Sequence, residues 1–346
     1  MLVAYAAVTG DSGGRPGASG AVPTTRSSSP RARLLKVARV VLTVAALAFL
    51  VLALASRWDE VTGQLGRVSP QAVAGAFACS LLGLFFSMLG WRALLSDLGS
   101  PLPLGAATRV LFLGQLAKYL PGSSVWAMVA QTELARDFGV PRKRAAAAAL
   151  VLNLVTLGVG LVVALLALPR LLTSDDTPEI LRWTPLLVPV ALAFLTPPVL
   201  TAACNVLFRV LRRQPLDQRF SWPGMARAAG AQLGTWFFYG LQITLPGWSL
   251  GASAGSLLLP ATGAFAAAWC AGFLVVVVPT GAGTREAVLT IALAPQLPGG
   301  SAAALTIAVV SRLLLTVADV VAALIGVAMG RRQAPVVPEP APDPVP

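Results

Sequence analysis

The chain has 346 residues, of which 56% are hydrophobic and only 12% are charged, and its mean hydropathy is +0.76. Soluble domains carry about 25% charged residues, so this composition excludes an ordinary soluble globule and indicates a protein embedded in lipid. The net charge of +12 is first interpreted as membrane topology, because Lys and Arg collect in cytoplasmic loops.

Two polar termini flank the apolar part of the chain. Residues 1–33 are rich in Gly, Ser, Pro and Thr and residues 331–346 in Pro, so both are expected to be disordered. The domain between them, 34–330, contains segments long enough to span about 30 Å of hydrocarbon. In chain order these cover 37–55, 70–95, 104–130, 145–168, 183–207, 224–248, 257–279, 284–297 and 302–329. Because the segments are too long and too unalternating for barrel strands, we predict an all-α, polytopic helical membrane protein.

The first apolar segment, 37–55, allows two interpretations. Basic residues precede it and Ala53-Leu54-Ala55 closes it, which is also the outline of a cleavable signal peptide. The long leader and the length of the apolar run favour an uncleaved signal anchor. The predicted topology downstream is the same in both cases.

Loop charges predict which side of the membrane each loop faces. Basic clusters predict cytoplasmic loops before residue 37 and at 136–144, 209–227 and 331–332. The segment 57–67, whose charges balance, and the acidic segment 175–179 are predicted to be outer loops. Both termini are therefore expected in the cytoplasm, in a multi-pass protein of the cytoplasmic membrane.

These assignments turn two apolar segments into predicted re-entrant hairpins. Since Arg92 and Arg136 are both expected inside, 104–130 would enter and leave on the cytoplasmic face, and 257–297 would do the same on the outer face. The prediction is about six full spans and two Pro/Gly-broken hairpins, or about eight hydrophobic helical segments, an arrangement that builds transport sites at mid-depth. The alternative is that one or both are ordinary spans with a proline kink.

The first broken segment carries one group of candidate binding residues. Pro121 and Gly122 are predicted to break the helix, which frees backbone groups that survive in lipid only beside protein or a water-filled cavity. A helix that begins there, capped by a serine, would direct a partial positive charge at an anionic ligand. The candidates are Lys118, Ser123, Ser124, Glu133 and Arg136, the last two spaced for an ion pair. The alternative is a surface ion pair beside an ordinary loop.

The second broken segment repeats this pattern. The predicted hinge residues are Pro279, Gly281 and Gly283, and they are followed by a predicted hydroxyl cap, an arginine and an acid at Thr284, Arg285 and Glu286. An ionisable pair after a long uncharged stretch is costly in lipid, so it is a candidate substrate site. The alternative is an ion pair that holds the hairpin closed.

The last span contains two further candidates, Arg312 and Asp319. They lie on one face about 10 Å apart along the helix axis, too far to pair directly. Each therefore needs a partner elsewhere, for which Arg285 or Glu286 would suit. Polar residues expected to form hydrogen bonds between helices are Asn153, Gln232 and Gln242.

The histidine and cysteine content of the chain limits the kinds of catalytic and metal sites that it can form. The sequence contains no histidine, which excludes histidine-based catalysis and histidine-ligated metals. Cys79, Cys204 and Cys270 lie in separate apolar runs, so neither a disulfide nor a metal site is expected. No catalytic residue, metal or cofactor is predicted, and nucleic acid is not an expected partner because cytoplasmic loops account for most of the positive charge.

Two motifs resemble the membrane region of lysylphosphatidylglycerol synthases. They are the LPGSSVW segment at 120–126, with Gly139-Val140-Pro141-Arg142 and an Ala-rich helix behind it, and the PTGAGTRE segment at 279–286. The resemblance covers roughly 35–330 and implies a flippase-like membrane domain. A charged pair expected near Asn153 is absent, and so is the aminoacyl-transferring domain, so the resemblance is to stand-alone members and does not imply synthase activity.

Three functions remain open. The favoured one is a non-enzymatic flippase-like protein that translocates or binds an anionic or modified phospholipid, or a lipid-linked intermediate. In it, Arg285, Arg136 and the helix ends at Ser123 and Thr284 would hold the headgroup. The alternatives are a non-catalytic accessory subunit of a cell-envelope lipid or glycan enzyme, and a membrane-embedded transferase. The expected partners are membrane lipids and, in the second case, an envelope-biosynthesis enzyme.

Overall fold

The computed structural model describes residues 58–119, 124–171, 183–184, 186–210, 212–274 and 283–330. Within these ranges the α-helices are α1 Trp58–Leu65, α2 Pro70–Asp97, α3 Leu104–Leu116, α4 Ser124–Arg136, α5 Arg142–Leu171, α6 Val188–Phe194, α7 Pro197–Val210, α8 Trp222–Ser249, α9 Ala254–Leu274, α10 Thr284–Leu293 and α11 Gly300–Gly330. The predicted leader, first span and tail lie outside the described residues, as do Pro121, Gly122, Ser123, Pro279 and Gly281.

The all-α, polytopic class is confirmed. Among the described helices α2, α5, α9 and α11 are long and apolar enough to cross a membrane, and the bent pair α6–α7 gives a fifth candidate. Helix α8 is 28 residues long but more polar, because it carries Gln232, Thr235, Gln242 and Thr244 as buried side chains. The predicted count of six full spans stays a prediction, since the first of them falls outside the described residues.

The predicted span 183–207 is not one straight helix. It consists of α6 and α7, which meet at an angle of 53°. The break coincides with Pro197-Pro198, where two consecutive residues lack the backbone N–H and the proline rings clash with the preceding turn.

Several loops predicted to be cytoplasmic lie together at one end of the bundle, which we call the basic end. There Asp97, at the end of α2, accepts hydrogen bonds from the backbone N–H and the hydroxyl of Ser221, before α8. Arg144, in the first turn of α5, donates to the Gly99 carbonyl before α3. The end of α2 and the starts of α3, α5 and α8 therefore share this end, and α4 reaches it where it leads into α5.

Other loops meet at the opposite end. Gln296, in the 3₁₀ turn Ala294–Gln296 after α10, donates to the Arg170 carbonyl in the last turn of α5. Gly251, which follows α8, lies beside Pro298. These contacts place the end of α5, the start of α9 and the segment after α10 on the same side.

This grouping is the one expected if both predicted hairpins form. Helices α3 and α4 pack against each other and connect to the basic end at both extremities. Helices α9 and α10 also pack together and connect to the opposite end. The second hairpin is unequal, because α9 has 21 residues and α10 only 10. The two pairs therefore connect to opposite ends of the bundle, as predicted from the loop charges. Because α9 is also long and apolar enough to cross a membrane, the hairpin topology stays a prediction.

The core is built on close contact between α2 and α8. A methyl group at Gly83 of α2 would overlap the ring of Tyr239, and one at Gly234 of α8 would overlap Phe86. Small residues allow helix backbones to approach where burial of apolar surface offers little drive in lipid. This packing holds α8 in the bundle despite its polar side chains.

Candidate functional site

The candidate site lies around the middle of α11, where Arg312 and Asp319 project. The side chain of Asp319 is only 4% exposed. Burial of a charged group in lipid is tolerated when partners surround it. The two broken segments supply those partners, one from each end of the bundle.

The first broken segment is attached to Asp319. The Lys118 ammonium lies 2.6 Å from Asp319 Oδ2, and the Tyr119 hydroxyl donates to the same oxygen at 2.6 Å. Both residues belong to the 3₁₀ turn Ala117–Tyr119 that ends α3. Asp319 Oδ1 is buried and has no hydrogen-bond partner among the described residues, so this carboxylate retains a free acceptor.

The second broken segment is attached to Arg312. Glu286, with a side chain 3% exposed, places Oε1 3.5 Å from Arg312 Nη1. Its other oxygen accepts a hydrogen bond from the Gly283 backbone N–H at 2.7 Å. Of the two partners predicted for the charges of α11, Arg285 and Glu286, the structure places Glu286 beside Arg312, whereas Lys118 was not predicted as the partner of Asp319.

The start of α10 differs from the prediction in one respect. The N-cap is Gly283, at φ 83°, and the predicted cap Thr284 is the first helical residue. Glycine adopts this backbone conformation without steric cost, and the Glu286 carboxylate satisfies its free N–H. The helix start is therefore closed by the same acid that pairs with Arg312.

Arg285 faces a different environment from its neighbour Glu286. Its guanidinium lies 4.4 Å from the ring centroid of Phe265 in α9, a cation–π contact, and it makes no ion pair among the described residues. A small cleft, whose free volume of about 10 Å³ holds about one water molecule, is lined by both Arg285 and Arg312, together with Glu286 and Ser311. Two guanidinium groups thus line one cleft that contains a single carboxylate.

The charges around the middle of α11 do not balance. In the described part of the chain they are three basic and two acidic side chains: Lys118, Arg285, Arg312, Glu286 and Asp319. Each acid is paired with one base, and Arg285 has only an aromatic ring. One basic side chain in excess of the acids in a low-dielectric interior carries a free-energy cost, so the site favours an anion.

The candidates Glu133 and Arg136 lie elsewhere. Glu133 pairs with Arg136 at 3.2 Å, as predicted, and also with Arg142 at 2.9 Å. The hydrogen bond from Arg142 is the main cause that holds the pKa of Glu133 below its ordinary value. Because this cluster lies at the basic end, about 18 Å along α4 from Ser124, the structure does not bring Arg136 together with Arg285.

Sequence reasoning missed two aromatic side chains of the site. Tyr119 is adjacent to Lys118, and a tyrosine hydroxyl in an apolar segment could have identified it as a candidate site residue. The sequence does not mark Phe265 as a site residue, because a phenylalanine is common in apolar helices. Ring contacts connect Phe265 to Tyr239 at 5.3 Å and to Trp236 at 6.3 Å between centroids.

The three amide side chains that were expected to form hydrogen bonds between helices differ in the bonds that they make. Gln242 hydrogen-bonds Ser311 of α11 across the helix interface. Asn153 donates to the Ala149 carbonyl of its own helix. Gln232 is fully buried with neither amide atom bonded within the described residues. Only Gln242 makes the predicted interhelical bond.

The cysteines and acids form no metal centre in the described part of the chain. Cys79, Cys204 and Cys270 are free and buried. No group of three residues with metal-ligating side chains was found there.

The chain matches the family of the lysylphosphatidylglycerol synthase TM region over residues 36–323, and it belongs to that family. No curated protein matches it significantly. The matched range includes both broken segments and the paired charges of α11.

Proposed function

We propose that this member of the lysylphosphatidylglycerol synthase TM region family is a non-enzymatic, flippase-like protein of the cytoplasmic membrane, with both termini in the cytoplasm. Its substrate is an anionic or modified phospholipid, or a lipid-linked intermediate, that moves between leaflets. The observation that carries the proposal is the meeting of two broken segments, from opposite ends of the bundle, at the charged centre of α11.

The charges support a phosphate-bearing headgroup. Arg285 and Arg312 line one cleft, and among the described residues only Arg312 has an ion-pair partner there. A guanidinium offers several N–H donors in a planar fork that suits phosphate oxygens. The phosphate would supply the negative charge that the cleft lacks, while the acyl chains stay in the bilayer.

The two ion pairs support a gating mechanism. Each broken segment is held to α11 by one pair, Lys118–Asp319 at one level and Glu286–Arg312 at the other. A headgroup that competes for Arg312 would weaken the hold on the second hairpin without touching the first. Alternate release of hairpins from opposite ends would expose the site to one leaflet at a time.

The proposal is tested by lipid translocation in reconstituted vesicles. Purified protein is inserted into phosphatidylcholine vesicles with nitrobenzoxadiazole-labelled phosphatidylglycerol, and dithionite measures how fast inner-leaflet label reaches the outside. Arg285→Gln and Glu286→Gln should slow translocation about 10- to 100-fold, the loss expected for one charged hydrogen bond. Arg67→Gln, an exposed arginine away from the site, is the matched control and should retain the wild-type rate.

Two results would contradict the proposal. One is wild-type protein that moves this lipid no faster than empty vesicles do. The other is an Arg285→Gln protein that translocates at the rate of Arg67→Gln.

A further inference from the structure

A second cavity lies between α5, the α6–α7 bend and α8, and it shares no residue with the charged cleft. It is an open groove with about 530 Å³ of free volume, and its lining is almost wholly apolar. Residues on its walls include Val159, Leu192, Leu195, Trp222, Met225 and Leu233. Its size and lining are those of a site for hydrocarbon.

The groove exists because the α6–α7 pair bends. Leu195, just before the double proline, packs so closely on α5 that a methyl group at Gly158 would overlap it. The bend is therefore held against α5, while α7 leaves at 53°. The divergence leaves a gap beside α8 that no described side chain fills.

The length of the groove matches one leaflet. Its lining along α8 runs from Trp222 to Leu233, which is about 16 Å at the rise of an α-helix. The hydrocarbon core of a bilayer is about 30 Å thick. The groove therefore extends over about half of that thickness and begins at the basic end.

Exposed arginines lie before and within the first turns of α8 at the basic end, where the Asp97 carboxylate is occupied by two hydrogen bonds from Ser221. Arg209, Arg219 and Arg227 are all exposed there, and Arg227 donates to the Pro223 carbonyl in the first turn of α8. The one acid between positions 209 and 227 is Asp217, whose carboxylate lies 2.9 Å from the Lys143 ammonium. That ammonium holds the pKa of Asp217 below its ordinary value, so the acid is engaged elsewhere.

We propose that this groove binds an acyl chain of one anionic phospholipid from the leaflet at the basic end. The Arg219 and Arg227 guanidinium groups hold the phosphate, and Trp222 lies at the headgroup level, where tryptophan is enriched. An arginine near an anionic headgroup contributes about fivefold in affinity. The site goes beyond the proposed transport, because binding is measurable in protein that translocates nothing.

The test is lipid retention by full-length protein in detergent. Protein is incubated with equimolar 1-palmitoyl-2-oleoyl phosphatidylglycerol and phosphatidylcholine, and native mass spectrometry counts the bound lipids. Wild type should retain one phosphatidylglycerol in preference to phosphatidylcholine. Ala229→Trp, which fills the groove, should lose that lipid, and the double variant R219Q/R227Q should lose about 25-fold in preference for phosphatidylglycerol.

Matched controls separate this site from lipid that merely coats the protein. Ala328→Trp places the same ring on an exposed face of α11, and Arg67→Gln removes an exposed arginine away from the groove. Both should retain the lipid as wild type does. Ala226→Trp, at an exposed groove position, repeats the filling test if Ala229→Trp does not fold. Equal retention by groove-filling and control variants, or no preference for phosphatidylglycerol in wild type, would overturn the proposal.

Discussion

At the scale of single residues, Asp319 is the point on which the first broken segment depends. One oxygen receives both the Lys118 ammonium and the Tyr119 hydroxyl, each at 2.6 Å. Removal of one partner from a buried pair leaves an uncompensated charge, which costs more than the pair itself contributes. The carboxylate is therefore a structural requirement of the hairpin as well as part of the candidate site.

This dependence predicts the effect of Asp319→Asn on stability. The substitution keeps the size of the side chain and leaves Lys118 without a counter-charge, so unfolding should become easier by about 3–5 kcal/mol. Detergent-solubilised protein unfolded in increasing dodecyl sulfate, followed by circular dichroism, measures the change. The double variant K118Q/D319N should recover part of the loss, because it removes both charges.

The matched control for that prediction is Asp217→Asn. It breaks a lysine–carboxylate pair of similar length, 2.9 Å, at a solvent-exposed position. Exposed pairs contribute little to stability, so no measurable change is expected. A similar loss in Asp217→Asn and Asp319→Asn would show that burial does not decide the effect.

The site residues show what local sequence can predict. That Arg312 needs a partner, with Arg285 or Glu286 as candidates, followed from the rule that an intramembrane charge needs an opposite partner. The partner of Asp319 was not identified, although Lys118 was already a candidate. Lys118 and Asp319 are 201 positions apart, and only the fold brings them together.

At the scale of helices, glycines set the distance between α2 and α8. Gly234 and Gly230 are four positions apart on α8, but a methyl group would overlap Phe86 at the first and meets nothing within 4 Å at the second. The two positions share helix geometry and differ only in contact. Substitutions at these two positions therefore distinguish the effect of helix packing on stability from the effect of helix propensity.

We expect opposite results from alanine at these two glycines. Gly234→Ala should destabilise the protein by about 1–3 kcal/mol, because a packed interface must open. Gly230→Ala should stabilise it by up to about 1 kcal/mol, because alanine favours the helix. The dodecyl sulfate unfolding assay measures both. Equal shifts in the same direction would show that the α2–α8 contact is not close-packed.

The bend between α6 and α7 shows where element prediction from the sequence failed. The proline pair at 197–198 was visible in the sequence, but the apolar run through it is continuous, and hydropathy alone predicted one span. The two other breaks were predicted because charged or polar residues accompany their prolines. A continuous apolar run indicates that a segment lies in lipid, but it does not show whether the helix stays straight or bends.

At the scale of the whole molecule, the arrangement of loops makes a prediction about sidedness. Pro101 and Asp137 flank the first hairpin at the basic end, and Ser253 and Pro298 flank the second at the opposite end; all four are exposed. Cysteines introduced there should react with an impermeant maleimide from one side for the first pair and from the other side for the second. The native cysteines are buried, which keeps the background low.

The labelling experiment tests each predicted hairpin separately. If cysteines at 101 and 137 react from opposite sides, α3 and α4 form a crossing and not a hairpin. If those at 253 and 298 do so, the same holds for α9 and α10. Labelling of intact cells also tests whether the basic end faces the cytoplasm.

The sequence by itself determined the all-α membrane class, the two broken segments and the grouping of the loops. These depend on local properties, namely the length of apolar runs, the positions of proline and glycine, and charge counted loop by loop. The tertiary structure alone decided that Lys118 holds Asp319, that Arg285 lies on Phe265 with no ion pair among the described residues, and that a bend opens a groove beside α8. These depend on which distant helices pack together, and packing of apolar helices is settled by shape across the whole bundle.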